Sequence, residues 1–572
     1  MKLQGIGVSS GIGIGVSVCV RDDDLDYSHV GCLGPTQEKA RLQEGIAQFT
    51  QKTFQMAENI RVRVGQKESE ILTGQVVMLS DPFMQSQMEE IIDAGQCAEA
   101  AVDQVCTMYA QMFAGVEDEL MRQRATDVQD IRARMLSILL GRTQVDLGQL
   151  PDHTVLVVHD LTPSMTVGLN REQVAAIVTE VGGRTSHSAI LARALELPTV
   201  LSVPDALEHL TDGSTLIVDG DQGTVLSDPE PAQLAHYQKQ QAEYARKKAL
   251  LEVYRHRATV DAQGNPYALY ANIGSPAEAK VAAASGAEGI GLFRTEFLFM
   301  DRTSAPTEEE QFEAYRSVSQ TMAGKEVIIR TLDVGGDKAV DYLGMEAEDN
   351  PFLGHRAIRY CLDRPDLYRT QLRALLRASA EEKNIKIMLP LVTCVEEIQR
   401  AKELLDVCKA ELEAEGIPYH KDICVGTMIE TPAAALIADL LAQECDFFSI
   451  GTNDLTGYTM AVDRGNAQVA QLYTTFQPAV LRSIHNIITA AKQAGIPVGM
   501  CGESAADPKL IPLLMAWGLD EFSVSASAIL PTRATIHQWT LDQAQQVAQQ
   551  AMERRTASQV YTSLAQATTT AV

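Results

Sequence analysis

The chain has 572 residues, 45% hydrophobic and 22% charged, with a mean hydropathy near zero, which suits about three or four ordinary domains with buried cores and excludes a largely disordered chain. With 48 basic against 75 acidic residues the net charge is −27, a balance that repels nucleic acid and anionic lipid and removes both from the expected partners. The 10 cysteines form no CxxC pair and no run approaches about 18 uninterrupted apolar residues, so a reducing, cytoplasmic setting is expected, with neither a structural zinc nor a membrane span.

The opening MKLQGIGVSSGIGIGVSVCV breaks every apolar run with Gly or Ser. It reads as a glycine-rich strand–turn–strand, not a signal peptide. Segments 36–64, 69–94, 97–115 and 118–140 carry apolar residues at three- and four-residue spacing, with breaks at 80–82 and 94–96, and so read as helices. Met78, Leu79 and Phe83 form one expected stripe. Between 152 and 226 the strand candidates HTVLVVHD, VAAIVTEVGG and STLIVDGDQGTVL alternate with short helical stretches. The expectation is an α/β domain made of residues 1–20 and 145–228, with a helical subdomain, 21–144, inserted into it. Residues 229–257 are polar, charged and free of glycine, as in a helical linker spanning about 229–260.

From residue 261 onward, eight strand candidates alternate with amphipathic stretches: LYANIG, GIGLFRTEF, EVIIRTLDVGG, IKIMLPLV, ICVGTMIETP, FFSIGTNDL, PVGMCGES and EFSVS. Eight strand–helix units over about 300 residues suggest a (β/α)8 TIM barrel, which makes the whole an α/β multidomain chain. In that fold the active site gathers at the carboxyl ends of the strands. Those ends carry Asn272, Arg294, Arg330, Glu430, Asn453, Asp454 and Cys501. The small, polar residues from about 566 are expected to fray.

Two centres carry chemistry. In GGRTSHSAILARALELP, His187 follows a Gly-Gly turn, and Ser186 or Thr185 could cap the next helix. A helix N-terminus favours an anion nearby and keeps an imidazole neutral, as a nucleophile requires. A hydrogen-bonded surface or capping histidine is the bland alternative. At the barrel mouth, the carboxylates Glu430 and Asp454 with substrate oxygens and waters suit Mg²⁺. Arg294, Arg330 and Arg464, with Arg356 and Lys338, are candidate clamps for phosphate and carboxylate. Asn453 adds a neutral donor, and the Cys501 thiol can deliver or remove a proton. A structural salt-bridge ring, around an inert buried thiol, is the competing reading. Asp333 and Asp337 read as loop residues.

Together these motifs resemble Enzyme I of the bacterial phosphotransferase system, the phosphoenolpyruvate–protein phosphotransferases. The resemblance rests on GGRTSHSAILARALELP, GAEGIGLFRTEFLFMDR, RTLDVGGDK, DNPFLGHRAIR, ETPAAA, DFFSIGTNDLTGYTMAVDRGN and GMCGE, in that order along nearly the whole chain. It implies a swivelling phosphohistidine domain, a helical subdomain that binds an HPr-type carrier, and a barrel that binds phosphoenolpyruvate (PEP) with Mg²⁺ and forms a homodimer. By position, His187 would carry the phosphoryl group and Thr166 would hold its side chain. Arg294, Arg330, Asn453, Asp454 and Arg464 would bind PEP. Glu430 and Asp454 would hold Mg²⁺, and Cys501 would protonate the enolate of pyruvate. The implied function is the first step of PEP-dependent sugar uptake. A non-catalytic PEP-sensing scaffold, or an enzyme like PEP synthase or pyruvate phosphate dikinase, is the alternative; no glycine-rich ATP loop is evident for the latter.

Four positions depart from the family pattern. Gly457 stands where Gln is usual, His355 for Trp, Met165 for an acidic residue beside Thr166, and Gln75 for a His before the Met78–Leu79 pair. They suggest a paralogue with its own carrier and sugar branch.

Overall fold

The computed structural model describes the chain except for residues 21–24, 64–65, 115–118, 142–149, 162–164, 166–168, 171–172, 184–188, 190–191, 193–196, 301, 303, 337–339, 347, 464–465, 467 and 572. His187, Thr166, Lys338 and Arg464 therefore lie outside the described residues. The chain divides into two compact units, Met1–Lys248 and Ala249–Val572.

The first unit holds an eight-stranded sheet of order β1-β8-β7-β3-β4-β5-β6-β2. Its strands are β1 (Lys2–Gln4), β2 (Ile6–Ser9), β3 (Ile12–Cys19), β4 (Thr154–Val158), β5 (Val174–Thr179), β6 (Thr199–Leu201), β7 (Thr215–Asp219) and β8 (Thr224–Ser227). The first three strands are scattered through this sheet: β3 runs parallel to β4 and antiparallel to β7, while β1 pairs with β8 and β2 with β6. Neither flank of the helical block can complete the sheet alone. The glycines of β3 have a steric cause, because a Cβ on Gly15 would lie 1.8 Å from the carbonyl oxygen of His153. STLIVDGDQGTVL forms two strands, β7 and β8, joined by a turn in which Asp219 Oδ1 accepts from the backbone N–H groups of Asp221 and Gln222 at 3.1 and 2.9 Å. The short strand β6 had no signal in the sequence; three residues are too few for a period.

The helical block comprises α1 (Pro35–Arg63), α2 (Gln66–Leu79), α3 (Pro82–Asp93), α4 (Ala98–Ala114) and α5 (Glu119–Leu139). Leu42, Phe49, Leu79, Met88, Ile92, Val102 and Ile131 form part of its dry core. The break at 80–82 is a cap: Asp81 accepts from Phe83 N and Met84 N at 2.8 and 3.0 Å, and Pro82 opens α3. That cap corrects the expected stripe, since it turns Phe83 outward, 66% exposed, while Leu79 stays buried. Gln75 is buried too, bridging Asp130 and Arg134 of α5 at 3.0 Å each. A long helix, α6, spans Pro231–Glu252.

In the second unit, eight parallel strands close into a barrel. They are β9 (Ala268–Ile273), β10 (Ile290–Arg294), β11 (Val327–Arg330), β12 (Ile385–Leu389), β13 (Val425–Ile429), β14 (Phe448–Gly451), β15 (Val498–Cys501) and β16 (Glu521–Val524), the last pairing back with β9. All eight strand candidates of the sequence are present. Inside the barrel Leu292, Ile328, Met388, Met428, Phe447 and Cys501 pack together, and the larger core lies between strands and helices. The carboxyl-terminal segment does not fray as expected. It forms a helix, Ala557–Ala571, anchored by buried Val560 and Leu564, each worth about 1.5–3 kcal/mol of apolar burial.

Candidate active site

The site residues sit where the strands end. β10 and β11 pair with Arg294 opposite Arg330, so two guanidiniums leave adjacent strand tips. Arg330 is buried, its Nη2 lying 2.7 Å from Glu296 Oε1 and 3.0 Å from Asp333 Oδ2. Burial works against its charge, but Glu296, Asp333 and Glu430 outweigh it and raise its pKa. Asp333 also takes Arg356 Nη2 at 2.8 Å, and the same nitrogen reaches Asp454 Oδ2 at 3.3 Å. Buried Arg356 donates in addition to the Tyr458 hydroxyl at 3.3 Å. The result is an alternating row, Glu296–Arg330–Asp333–Arg356–Asp454. Gly335, at φ +104°, lets the backbone pass this row, because a Cβ there would lie 2.5 Å from Arg356 Cβ.

Glu430 follows β13 directly and is buried, with Oε1 accepting from Leu391 N at 2.6 Å. The absent side chain of Gly451 makes room for it; a Cβ there would meet Glu430 Oε2 at 2.7 Å. Burial, and then the charge of Asp454, push the Glu430 carboxyl up to about 8, although Arg330 and Arg356 oppose them. Asp454 and Asn453 lie in the first turn of the helix Thr452–Met460, and the Asn453 carbonyl accepts from the Tyr473 hydroxyl at 2.9 Å. Cys501 ends β15 opposite Gly451. Its buried thiol makes a long bond to Ile450 O, 3.6 Å. Burial raises the thiol to about 12, with Arg330 lowering and Glu430 raising it, so it holds its proton at neutral pH.

Arg294 is half-buried, with its guanidinium over the Phe297 ring at 5.0 Å. The Nε atoms of Arg294, Arg330 and Arg356 are buried and make no hydrogen bond among the described residues. The structure thus brings Arg294, Arg330, Arg356, Glu430, Asn453, Asp454 and Cys501 to the same end of the barrel. Asn272 is engaged otherwise, exchanging hydrogen bonds with Ser523 of β16 at 2.6 and 3.1 Å. Glu296 and Tyr458 were not singled out in the sequence. Asp333 is outside regular structure, as a loop residue should be, yet it is 1% exposed and bridges two arginines. Its position three residues after Arg330 was the available signal.

Of the departures from the family pattern, His355 Nε2 lies 3.0 Å from Asp363 Oδ2, with its ring 5.5 Å from that of Tyr360. Met165 packs on the apolar cluster of Leu156, Val158 and Leu161. Gln75 sits inside the helical block, not on its surface.

The carboxylates fit a divalent cation. Two neighbouring acids, one held well above its usual range by burial and by the other's charge, are relieved by an ion that takes oxygen ligands. Among the described residues no group of three or more His, Cys, Asp or Glu side chains is placed to hold a metal, so the remaining ligands would be substrate oxygens and water.

Residues 248–541 match the family model for the PEP-binding domain of PEP-utilising enzymes, residues 150–223 that for the mobile domain, and residues 4–124 that for the N-terminal domain. An arginine- and carboxylate-lined barrel preceded by those two domains defines the class as PEP-utilising. Full-length relatives narrow it further. The chain is 44% identical over 559 residues to the phosphoenolpyruvate-protein phosphotransferase of Geobacillus stearothermophilus, covering 98% of this chain and 96% of that one. It is 42% identical over 560 residues to the enzyme of the same name from Bacillus subtilis (strain 168), covering 98% of each. The chain belongs to the phosphoenolpyruvate-protein phosphotransferases. No helix among the described residues is long and apolar enough to cross a membrane.

Proposed function

We propose that the chain moves the phosphoryl group of PEP to His187 and from there to a histidine of an HPr-type carrier. The observation that carries this reading is the convergence of Arg294, Arg330 and Arg356 with Glu430, Asp454 and Cys501 at one barrel mouth. Three guanidiniums with buried, unsatisfied Nε donors suit a ligand carrying both phosphate and carboxylate. Arg464, Asn453 and Lys338 complete the clamp in this reading. Glu430 and Asp454 would hold a divalent cation such as Mg²⁺, which when bound offsets negative charge on the substrate and on the two acids.

A ring nitrogen of His187 attacks phosphorus in line, the bridging P–O bond breaks, and the electron pair stays on the enolate of pyruvate. The arginines hold the transferring group and balance its charge. The Cys501 thiol gives its proton to the methylene carbon of the enolate, and pyruvate leaves. Thr166 steadies the His187 side chain. In the accompanying domain scheme, residues 1–20 and 145–228 carry His187, 21–144 dock the carrier, and 229–260 let the first part swing, since one imidazole must visit two sites. The barrel, 261–572, binds PEP and pairs with a second copy in a cytoplasmic homodimer. Purified protein mixed with PEP, Mg²⁺ and an HPr-type carrier should release pyruvate as the carrier gains phosphate. Binding of PEP without pyruvate release would favour the scaffold reading instead.

A further inference from the structure

We propose that Ser449 is a positioning residue for Cys501: its hydroxyl supports the thiolate left behind when the thiol gives up its proton. This rests on the reading of Cys501 as the proton donor. β14 and β15 are neighbours, with Ser449 opposite Gly499 and Gly451 opposite Cys501. Along β14, Phe448 and Ile450 face the core between strands and helices, whereas Phe447 packs with Cys501 inside the barrel. Ser449, two residues on from Phe447, shares that inner face.

Ser449 is buried, and its hydroxyl makes no hydrogen bond among the described residues. A buried unsatisfied hydroxyl costs about 1–3 kcal/mol, and an alanine would fill the same place without that cost. Ser449 and Cys501 thus lie on neighbouring strands, two register positions apart on the inner face, and Ser449 eases ionisation of the thiol against the opposing effects of burial, Glu430 and Glu521; Arg330 acts in the same direction as Ser449. At rest the thiol's one proton is directed to Ile450 O. During turnover the S–H bond breaks, the C=C electron pair of the enolate takes the proton to form a C–H bond, and sulfur keeps its own pair. The new thiolate can then accept a hydrogen bond from Ser449, whose hydroxyl makes none at rest among the described residues. A proton from water later restores the thiol.

The test is the exchange of pyruvate methyl protons for deuterium in D₂O with Mg²⁺, followed by NMR across pH on the full-length protein. This reaction uses the thiol in reverse and needs no phosphoryl transfer. Ser449→Ala should slow exchange about tenfold and move the rising limb of its pH profile up by about one pH unit, because the thiolate is the base in this direction and loses one hydrogen bond to a charged group. Ser449→Thr should restore both. A rate and limb unchanged in Ser449→Ala, with exchange abolished in Cys501→Ala, would overturn the role of Ser449 alone. Exchange that survives in Cys501→Ala would overturn the assignment of the thiol, and Ser449's role with it.

Discussion

The arginines buried in the helical block and those buried at the barrel mouth behave in opposite ways. In the helical block, Arg134 lies over the Phe49 ring at 4.2 Å and donates to Gln75 and Thr53, with Asp130 3.9 Å away. Burial dominates there and lowers its pKa. At the barrel mouth, Arg330 and Arg356 are buried as deeply, but the acids around them outweigh burial and raise their pKa. Their Nε groups make no hydrogen bond among the described residues, and the Glu430 carboxyl is pushed up to about 8. A buried arginine by itself therefore says little. Excess acid, spare donors and a perturbed carboxylate in one opening distinguish a working site from a structural tie.

The strongest contrast comes from removing each arginine. Arg330→Met should cut phosphorylation by PEP about a thousandfold, and because it removes the ion pairs of a buried guanidinium with Glu296 and Asp333 it should also destabilise the barrel by about 3–5 kcal/mol. Arg134→Met should lower the stability of the first unit while leaving PEP binding, measured by calorimetry, unchanged. Equal loss of PEP binding in both variants would erase the distinction. Next in size, Cys501→Ala should slow pyruvate release about a hundredfold, the usual worth of a positioned acid, with little change in PEP affinity.

The comparison extends to two acids of the barrel. Glu430 at the mouth and Glu521 at the amino-terminal end of β16 are each raised to about 8, the latter by burial and then by Glu326, with Lys386 opposing. An acid raised on folding binds more protons in the folded state than in the unfolded one between its model value of 4.5 and about 8. Stability is thus fully supported below that window and falls as pH rises through it. Either Glu430→Gln or Glu521→Gln should flatten the fall of Tm with pH. Only Glu430→Gln should abolish Mg²⁺ binding and the proton release that accompanies it. The smallest effect is expected at Gly457, inside the helix Thr452–Met460, where a Cβ would meet only Val462 O at 3.4 Å and Tyr473 Cε2 at 3.7 Å. Gly457→Ala should stabilise the barrel by about 0.5–1 kcal/mol in thermal melts.

The same contrast explains what could be read from the sequence. The eight barrel strands were legible because each is a short apolar run ending in a polar tip, and Arg294, Arg330, Glu430, Asp454 and Cys501 stood out at those tips. Asp333 did not, because a single Asp after Leu reads as a turn residue until folding places it between two guanidiniums. Phe83 stands at helical spacing from Leu79, but the Asp81 cap interrupts that stripe, and the role of Ser449 depends on which face of β14 it occupies. The terminal helix, Ala557–Ala571, was missed because its small polar residues hide the two that anchor it, Val560 and Leu564. Sequence spacing reveals periods and tips, whereas charge compensation depends on neighbours far apart in the chain.

The central claim is that this barrel mouth passes phosphorus to one imidazole. Incubation of the full-length protein with ³²P-labelled PEP and Mg²⁺ tests it most directly. Wild type should take up acid-labile label in the peptide holding His187, and His187→Ala should take up none. Label retained by His187→Ala would contradict the account.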